Sequence, residues 1–229
     1  MFRRNYARAP WNATHVELHR LASLARKRYV QATHLHAKLR IEEDVDVGPG
    51  FRLWMPEDGT LVIGRGTELR HHVYIEIYGK GEVRIGAGSH LTYYTHIACS
   101  SSITIGERCG IGLSTLVVDG GHSFRDPAKN WMDQSYDLRP IVIGDDAAIH
   151  SQCTIINDVG HHAVIGANSV VTRPIPPYCL AVGAPARVIE YFGPPDERSP
   201  DIPPDVPSTW EERSLMVDPG PTDPAHHPG

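Results

Sequence analysis

The sequence predicts an all-β protein: a parallel β-helix of hexapeptide repeats, with an N-terminal helix before it and a disordered C-terminal tail after it. Two observations carry this. An aliphatic residue recurs every six positions: Ile63, Leu69, Ile75, then Ile85, Leu91, Ile97, then Ile105, Ile111, Val117, then Ile143, Ile149, Ile155, and last Val159, Ile165, Val171. The fifth position of the hexad is small or β-branched, as at Thr67, Ser89, Cys109, Ala147 and Ser169, and Gly often stands second, as at Gly86, Gly106 and Gly112. Such a period is too short for a helical repeat and too regular for separate strands. Three hexads make one triangular turn, in which the aliphatic residue fills the prism, the small one fits the corner, and Gly relieves the tight backbone there.

Residues 1–62 form the first unit. A helix is expected over residues 14–40, opened by the capping-box sequence Thr14-His15-Val16-Glu17 and carrying a broken apolar stripe of Leu18, Leu21, Leu24, Ala25, Leu35 and Leu39. The stripe is expected to cover the open end of the β-helix, and residues 41–62 to lead into the first coil. Residues 1–40 hold nine Lys or Arg and one acid, Glu17, in a chain of net charge −5. A solvated basic helix face explains this without nucleic acid, for which no motif is present; a peripheral membrane contact is left open. No run of 18 apolar residues exists, so no membrane span is expected, and the N-terminus lacks the apolar segment of a signal peptide. The four cysteines have neither paired nor metal-type spacing and read as packing residues, in keeping with a cytoplasmic protein.

The second unit, residues 63–192, is the β-helix. Three hexads span 18 residues, yet Ile63 to Ile85 takes 22, Ile85 to Ile105 takes 20, and Ile105 to Ile143 takes 38. Each surplus follows a third hexad, so every insertion leaves from one corner, and insertions collected on one face of a repeat fold mark the binding face. Ile143 to Val159 takes only 16, so Ile156-Asn157-Asp158 cuts that corner short. The large insertion, residues 119–140, is rich in Gly, His, Asp, Trp and Tyr, the composition of a substrate loop. His122 begins it after two glycines. Histidine is the commonest general base, which singles His122 out among 14 histidines. Asp119, Asp126, Trp131 and Tyr136 could grip a sugar through ring faces and carboxylates, or could only order the loop. Residues 193–229, rich in Pro and acids, form the third unit, the tail.

The hexads, the loop sequence GGHSF and the closing segment IGANSVVTRPIPPYCLAVGAPARVI resemble the hexapeptide-repeat acyltransferases, in particular the sugar O-acetyltransferase branch, over about residues 63–192. The resemblance implies that the β-helix is left-handed, that the protein is a homotrimer with sites between subunits, and that acetyl-CoA is the co-substrate. It implies that His122 deprotonates a hydroxyl of a sugar or glycan acceptor and that the backbone N–H of Ser151 meets the developing oxyanion. It places Ala167 against the pantetheine arm, and Arg173 and Arg187 near the phosphates of CoA. Ala148 and His150 depart from the family pattern, and so does the earlier coil, where Thr92, Tyr93 and Tyr94 replace an Asn that assists the acceptor. Two other readings stand beside this one. A carbonic-anhydrase-like metal site would draw on His96, His122 and His150, and a non-catalytic scaffold or ligand-binding module would leave the loop and closing segment unexplained.

Overall fold

If each hexad turns one corner, residues one coil apart must lie side by side, and they do. Ile63 pairs with Ile85, Ile85 with Ile105 and Ile105 with Ile143, all in parallel register. The computed structural model describes residues 10–208. Its strands form three sheets, the faces of a triangular prism, parallel throughout except for the last pair of the second sheet, with a short hairpin standing off one corner. The first sheet runs from Lys38–Ile41 to Ile141–Ile143; the second has eight strands and the third six. All fifteen aliphatic hexad residues are buried, and so are the fifth-position residues Thr67, Ser89, Cys109, Ala147 and Ser169.

The second-position glycines do a different job from the one expected. They are not at left-handed backbone positions; a Cβ on Gly106 would meet the Asp145 backbone nitrogen at 2.6 Å, and one on Gly112 would meet the His150 carbonyl carbon at 2.4 Å. Glycine is needed because the next coil passes this close. The left-handed residue is the fourth of the hexad, and it is mostly not glycine: His72, Tyr94, Arg108, Ser114, Asp146, Gln152, His162 and Asn168 all have φ between 53° and 61°.

Three boundaries move. The helix α1 spans Pro10–Thr33, starting before Thr14 and ending well short of residue 40; Glu17 pairs forward with Arg20. Its last turn closes on side chains, with Thr33 Oγ1 donating to the Tyr29 carbonyl at 2.9 Å. The coil stack then begins at Lys38 rather than Ile63. Strands β1 (Lys38–Ile41), β2 (Asp46–Val47) and β3 (Arg52–Trp54) pair in parallel with the coil after them, so the supposed lead-in is a complete turn. At the other end the chain does not leave the prism at residue 192. Cys179–Val182 pairs antiparallel with Arg187–Tyr191, and Tyr191 bridges to Ser208. Ile202 and Val206 are buried, and Arg198 lies 5.2 Å over the Tyr191 ring. Residues 194–208 are thus folded onto the last coil; the rest of the expected tail lies outside the described residues.

Helix α1 covers the open end, as expected, but with its other side. Leu18 and Leu21 are 60% and 50% exposed, while Ser23, Lys27 and Val30 are buried. Ser23 Oγ accepts from the Val47 N–H at 2.7 Å, Arg26 donates to the Val47 carbonyl, and Lys27 Nζ donates to the Glu42 and Glu43 carbonyls. What the open coil presents is unpaired backbone, so polar side chains meet it rather than leucines. Among the described residues no helix is long and apolar enough to cross a membrane.

Candidate active site

The corner between the third and first sheets carries every insertion. In the second coil Tyr78-Gly79-Lys80-Gly81 fills it, in the third Ser100-Ser101, and in the fourth the long loop. That loop is a hairpin, Gly120–His122 against Tyr136–Leu138, with His122 opposite Tyr136. Its base is closed by the Arg139 N–H, which donates to the Asp119 carbonyl at 2.7 Å. The His122 ring is walled by Tyr136, 4.2 Å between centroids, and by Trp131, edge-on at 5.0 Å. Its Nδ1 is buried with no hydrogen-bond partner, so the nitrogen left to meet an acceptor is Nε2.

Asp119 is not a substrate ligand. It is 2% exposed, and its carboxylate accepts from the N–H groups of Ser100 and Ser101 at 2.8 and 2.6 Å and from Cys99 Sγ at 3.3 Å. With both oxygens spent on the preceding coil, it cannot hold the His122 tautomer either. Asp126 also orders the loop: its carboxylate accepts from the Ala128 N–H at 3.0 Å and pairs with Lys129. Trp131 and Tyr136 stay largely exposed beside His122.

The other predicted residues lie elsewhere. Ser151 and Ala167 line a groove of about 390 Å³ with Thr92, Gly112, Ala148 and His150, at the corner between the second and third sheets. Small residues at Gly110 and Ala148 keep its floor open. Ser151 accepts from the Asn168 N–H at 3.0 Å, while no described residue accepts from its own N–H. Within one chain the third sheet therefore separates His122 from Ser151. Arg173 lines a second cavity, of about 850 Å³, with His161, Pro174, Ser199 and Asp201, and makes no ion pair among the described residues. Arg187 donates to the Ala186 carbonyl. His150 sits at the groove, a corner away from His122, so the suggested trio of His96, His122 and His150 does not converge; among the described residues no three metal-ligating side chains do.

Sequence reasoning missed a cluster on the outer face of the third sheet. Tyr74 pairs with His96 in register, and their rings stack at 5.0 Å. His96 Nε2 lies 3.2 Å from Glu76 Oε2, yet out of line for a hydrogen bond, so it remains a buried unpaired atom. I+2 alternation puts Tyr74, Glu76 and Tyr78 on one side of the chain. Burial, and then Glu76 beside it, pushes the Tyr74 hydroxyl up to about 12. Burial followed by Glu76 also raises Tyr78, with Tyr136 of the hairpin adding a little to it.

No protein-family model matches the chain. It is 32% identical over 139 residues to the galactoside O-acetyltransferase of Escherichia coli K12, covering 59% of this chain and 66% of that one. It is 27% identical over 152 residues to the putative lipopolysaccharide biosynthesis O-acetyl transferase WbbJ of the same organism, covering 62% and 77%. The fold matches the acetyl-CoA complex of the hexapeptide-repeat acetyltransferase VCA0836 of Vibrio cholerae, with TM-score 0.53, 23% identity, and coverage of 78% of this chain and 83% of that one. Coils, hairpin and relatives together define a class: the chain belongs to the hexapeptide-repeat acyltransferases. Within that class, these two relatives are O-acetyltransferases by name.

Proposed function

We propose that this protein transfers an acetyl group from acetyl-CoA to a hydroxyl of a sugar or glycan precursor, with His122 as general base. The observation that carries the reading is the placing of His122, on the one long hairpin, at the corner where insertions collect, between two aromatic rings. The names of the relatives and the acetyl-CoA in the VCA0836 complex support donor and acceptor class.

The chemistry follows from what the site offers. A sugar hydroxyl is a weak nucleophile at neutral pH, while a thioester carbonyl is already a fair electrophile. His122 Nε2 takes the hydroxyl proton as the oxygen bonds to the carbonyl carbon. The oxyanion formed is met by the free N–H of Ser151. As the C–S bond breaks, the imidazolium returns its proton to the departing sulfur, giving the ester and CoA thiol. Trp131 and Tyr136 flank the acceptor. Ala167, small and exposed in the groove, leaves room for the pantetheine arm, and Arg173 is the better-placed partner for a CoA phosphate because its guanidinium is uncommitted.

This reaction needs two chains. His122 and the Ser151 groove stand at opposite edges of the third sheet, so the site closes when one subunit's hairpin faces a neighbour's groove. A homotrimer of left-handed β-helices supplies that arrangement three times over. Four free, buried cysteines suit a reducing compartment, and we place the enzyme in the cytoplasm. In a thiol-release assay with acetyl-CoA and a panel of sugars, His122→Ala is expected to lower kcat by at least about 10²-fold with CoA affinity kept. Near wild-type turnover by that variant would overturn the assignment.

A further inference from the structure

Among the described residues only two buried side-chain polar atoms lack a hydrogen-bond partner: His122 Nδ1 and His96 Nε2. One belongs to the proposed base. The other belongs to the cluster on the neighbouring coils, where it lies 3.2 Å from Glu76 Oε2 without making a hydrogen bond, and an unsatisfied buried polar atom in a native fold calls for an explanation. Glu76 pairs in register with Ala98, and Ala98 with Val118, four residues before His122. Ala98 and Val118 are too short to screen the strip between them and the hairpin. The cluster therefore shares the outer face of the third sheet with Leu116–Val118, the strand that leads into the hairpin.

We propose, resting on the acetyltransferase reading above, that Tyr74, Glu76, Tyr78 and His96 form the acceptor-selecting subsite of the same reaction. Glu76 is its specificity-determining residue: it favours a hexose that presents a hydroxyl or ammonium donor there and rejects one that presents an anion. The chemistry of the cluster points this way. A carboxylate oxygen accepts hydrogen bonds, and the two phenols and the His96 imidazole beside Glu76 only partly satisfy its four lone-pair sites. A substrate ammonium or hydroxyl can fill the rest, while the flat faces of the Tyr74–His96 stack suit the apolar face of a sugar ring. A substrate carboxylate or phosphate would set like charges together at short range. Arg52, the cation of this face, lies on the Tyr74 ring at 5.0 Å.

The test uses the full chain and three probes of one size: glucosamine, galactose and glucuronate. Titration calorimetry gives their dissociation constants, and thiol release with acetyl-CoA gives KM and kcat where transfer occurs. Wild type is expected to bind glucosamine and galactose and to reject glucuronate. Glu76→Gln, of equal size and on an outward strand position, should weaken glucosamine roughly ten- to hundred-fold. The same change should narrow the gap to glucuronate and leave the KM for acetyl-CoA within about twofold. His96→Gln, a second variant that keeps the carboxylate, should weaken glucosamine and galactose less than Glu76→Gln does. Unchanged glucosamine binding in Glu76→Gln, or glucuronate bound as well as glucosamine by wild type, overturns the proposal. If no probe is acetylated while glucosamine binding still depends on Glu76, the subsite stands and the transferase reading falls. If acetyl transfer persists with no dependence on Glu76, the reverse holds.

Discussion

Replacing Asp119 separates two roles that the sequence could not. Its carboxylate accepts from two backbone N–H groups and from the Cys99 thiol, at 2.8, 2.6 and 3.3 Å, and the residue is 2% exposed. Asparagine in its place has one acceptor oxygen and no charge, so one N–H of the Ser100-Ser101 turn loses its partner and the other bond weakens. Hydrogen bonds to charged groups are each worth about 1.5–3 kcal/mol, so Asp119→Asn should cost about 2–4 kcal/mol. For a chain of this size that lowers Tm by roughly 4–15 °C, and the urea midpoint should fall in step without a change in slope. Asp119 also anchors the base of the hairpin, so kcat should fall with it, while the acceptor KM of the folded fraction stays put. The opposite result, an unchanged midpoint with a raised acceptor KM, would mean that Asp119 grips substrate and that its buried bonds carry no weight.

Three further outcomes are expected. Burial, with the Asp119 carboxylate adding to it, pushes the Cys99 thiol up to about 12, and burial pushes Cys179 up to about 11, against an ordinary value of 9.0. The stability this gives is intact below about pH 9 and drains as pH climbs from there towards 12, because only the unfolded thiols ionise. Urea midpoints at pH 8 and 10.5 should show the loss, and a thiol reagent at pH 8 should label none of the four cysteines before unfolding. Ile202→Ala should cost about 2 kcal/mol by emptying the contact under the returning segment, read as a drop in Tm that a chain without that packing would not show. Finally, His122→Ala and Ala167→Trp, each inactive alone, should recover part of the activity when unfolded together and reassembled, because each mixed form of the proposed trimer contains one intact interface; no recovery would argue for a site within one chain.

The β-helix was legible because each hexad commits one residue to the interior, so that Ile63, Ile85, Ile105 and Ile143 announce their own stacking. The first coil carried the same signal, Ile41, Val47 and Leu53, with the 22-residue step to Ile63 that recurs from Ile63 to Ile85. It was masked by Glu42 where later coils have Gly, and by a leucine stripe that led the helix on to Leu39. Position 122 was legible because it opens the one long insertion. The Glu76–His96 cluster was not, since its members lie 20 residues apart and meet only once strand register is known. Nor could the sequence reveal that Asp119 turns inward; a carboxylate beside a histidine looks the same whether it faces ligand or backbone. The returning segment hid behind prolines, with only Ile202 and Val206 to mark it.

The way the two ends of the prism are finished has a consequence for how molecules meet. A stack of parallel coils is a template: its terminal coils would accept further coils from another molecule, and growth by that route makes fibres. Here the outer edge of the first coil is already taken at Val47, Glu42 and Glu43 by Ser23, Arg26 and Lys27 of α1. At the far end the chain reverses into an antiparallel strand, Arg187–Tyr191, and the segment after it returns over the last coil, where Ile202 and Val206 are buried. Among the described residues both ends of the stack are thus covered, which disfavours head-to-tail polymerisation and leaves the sides of the prism as the surfaces through which copies can associate.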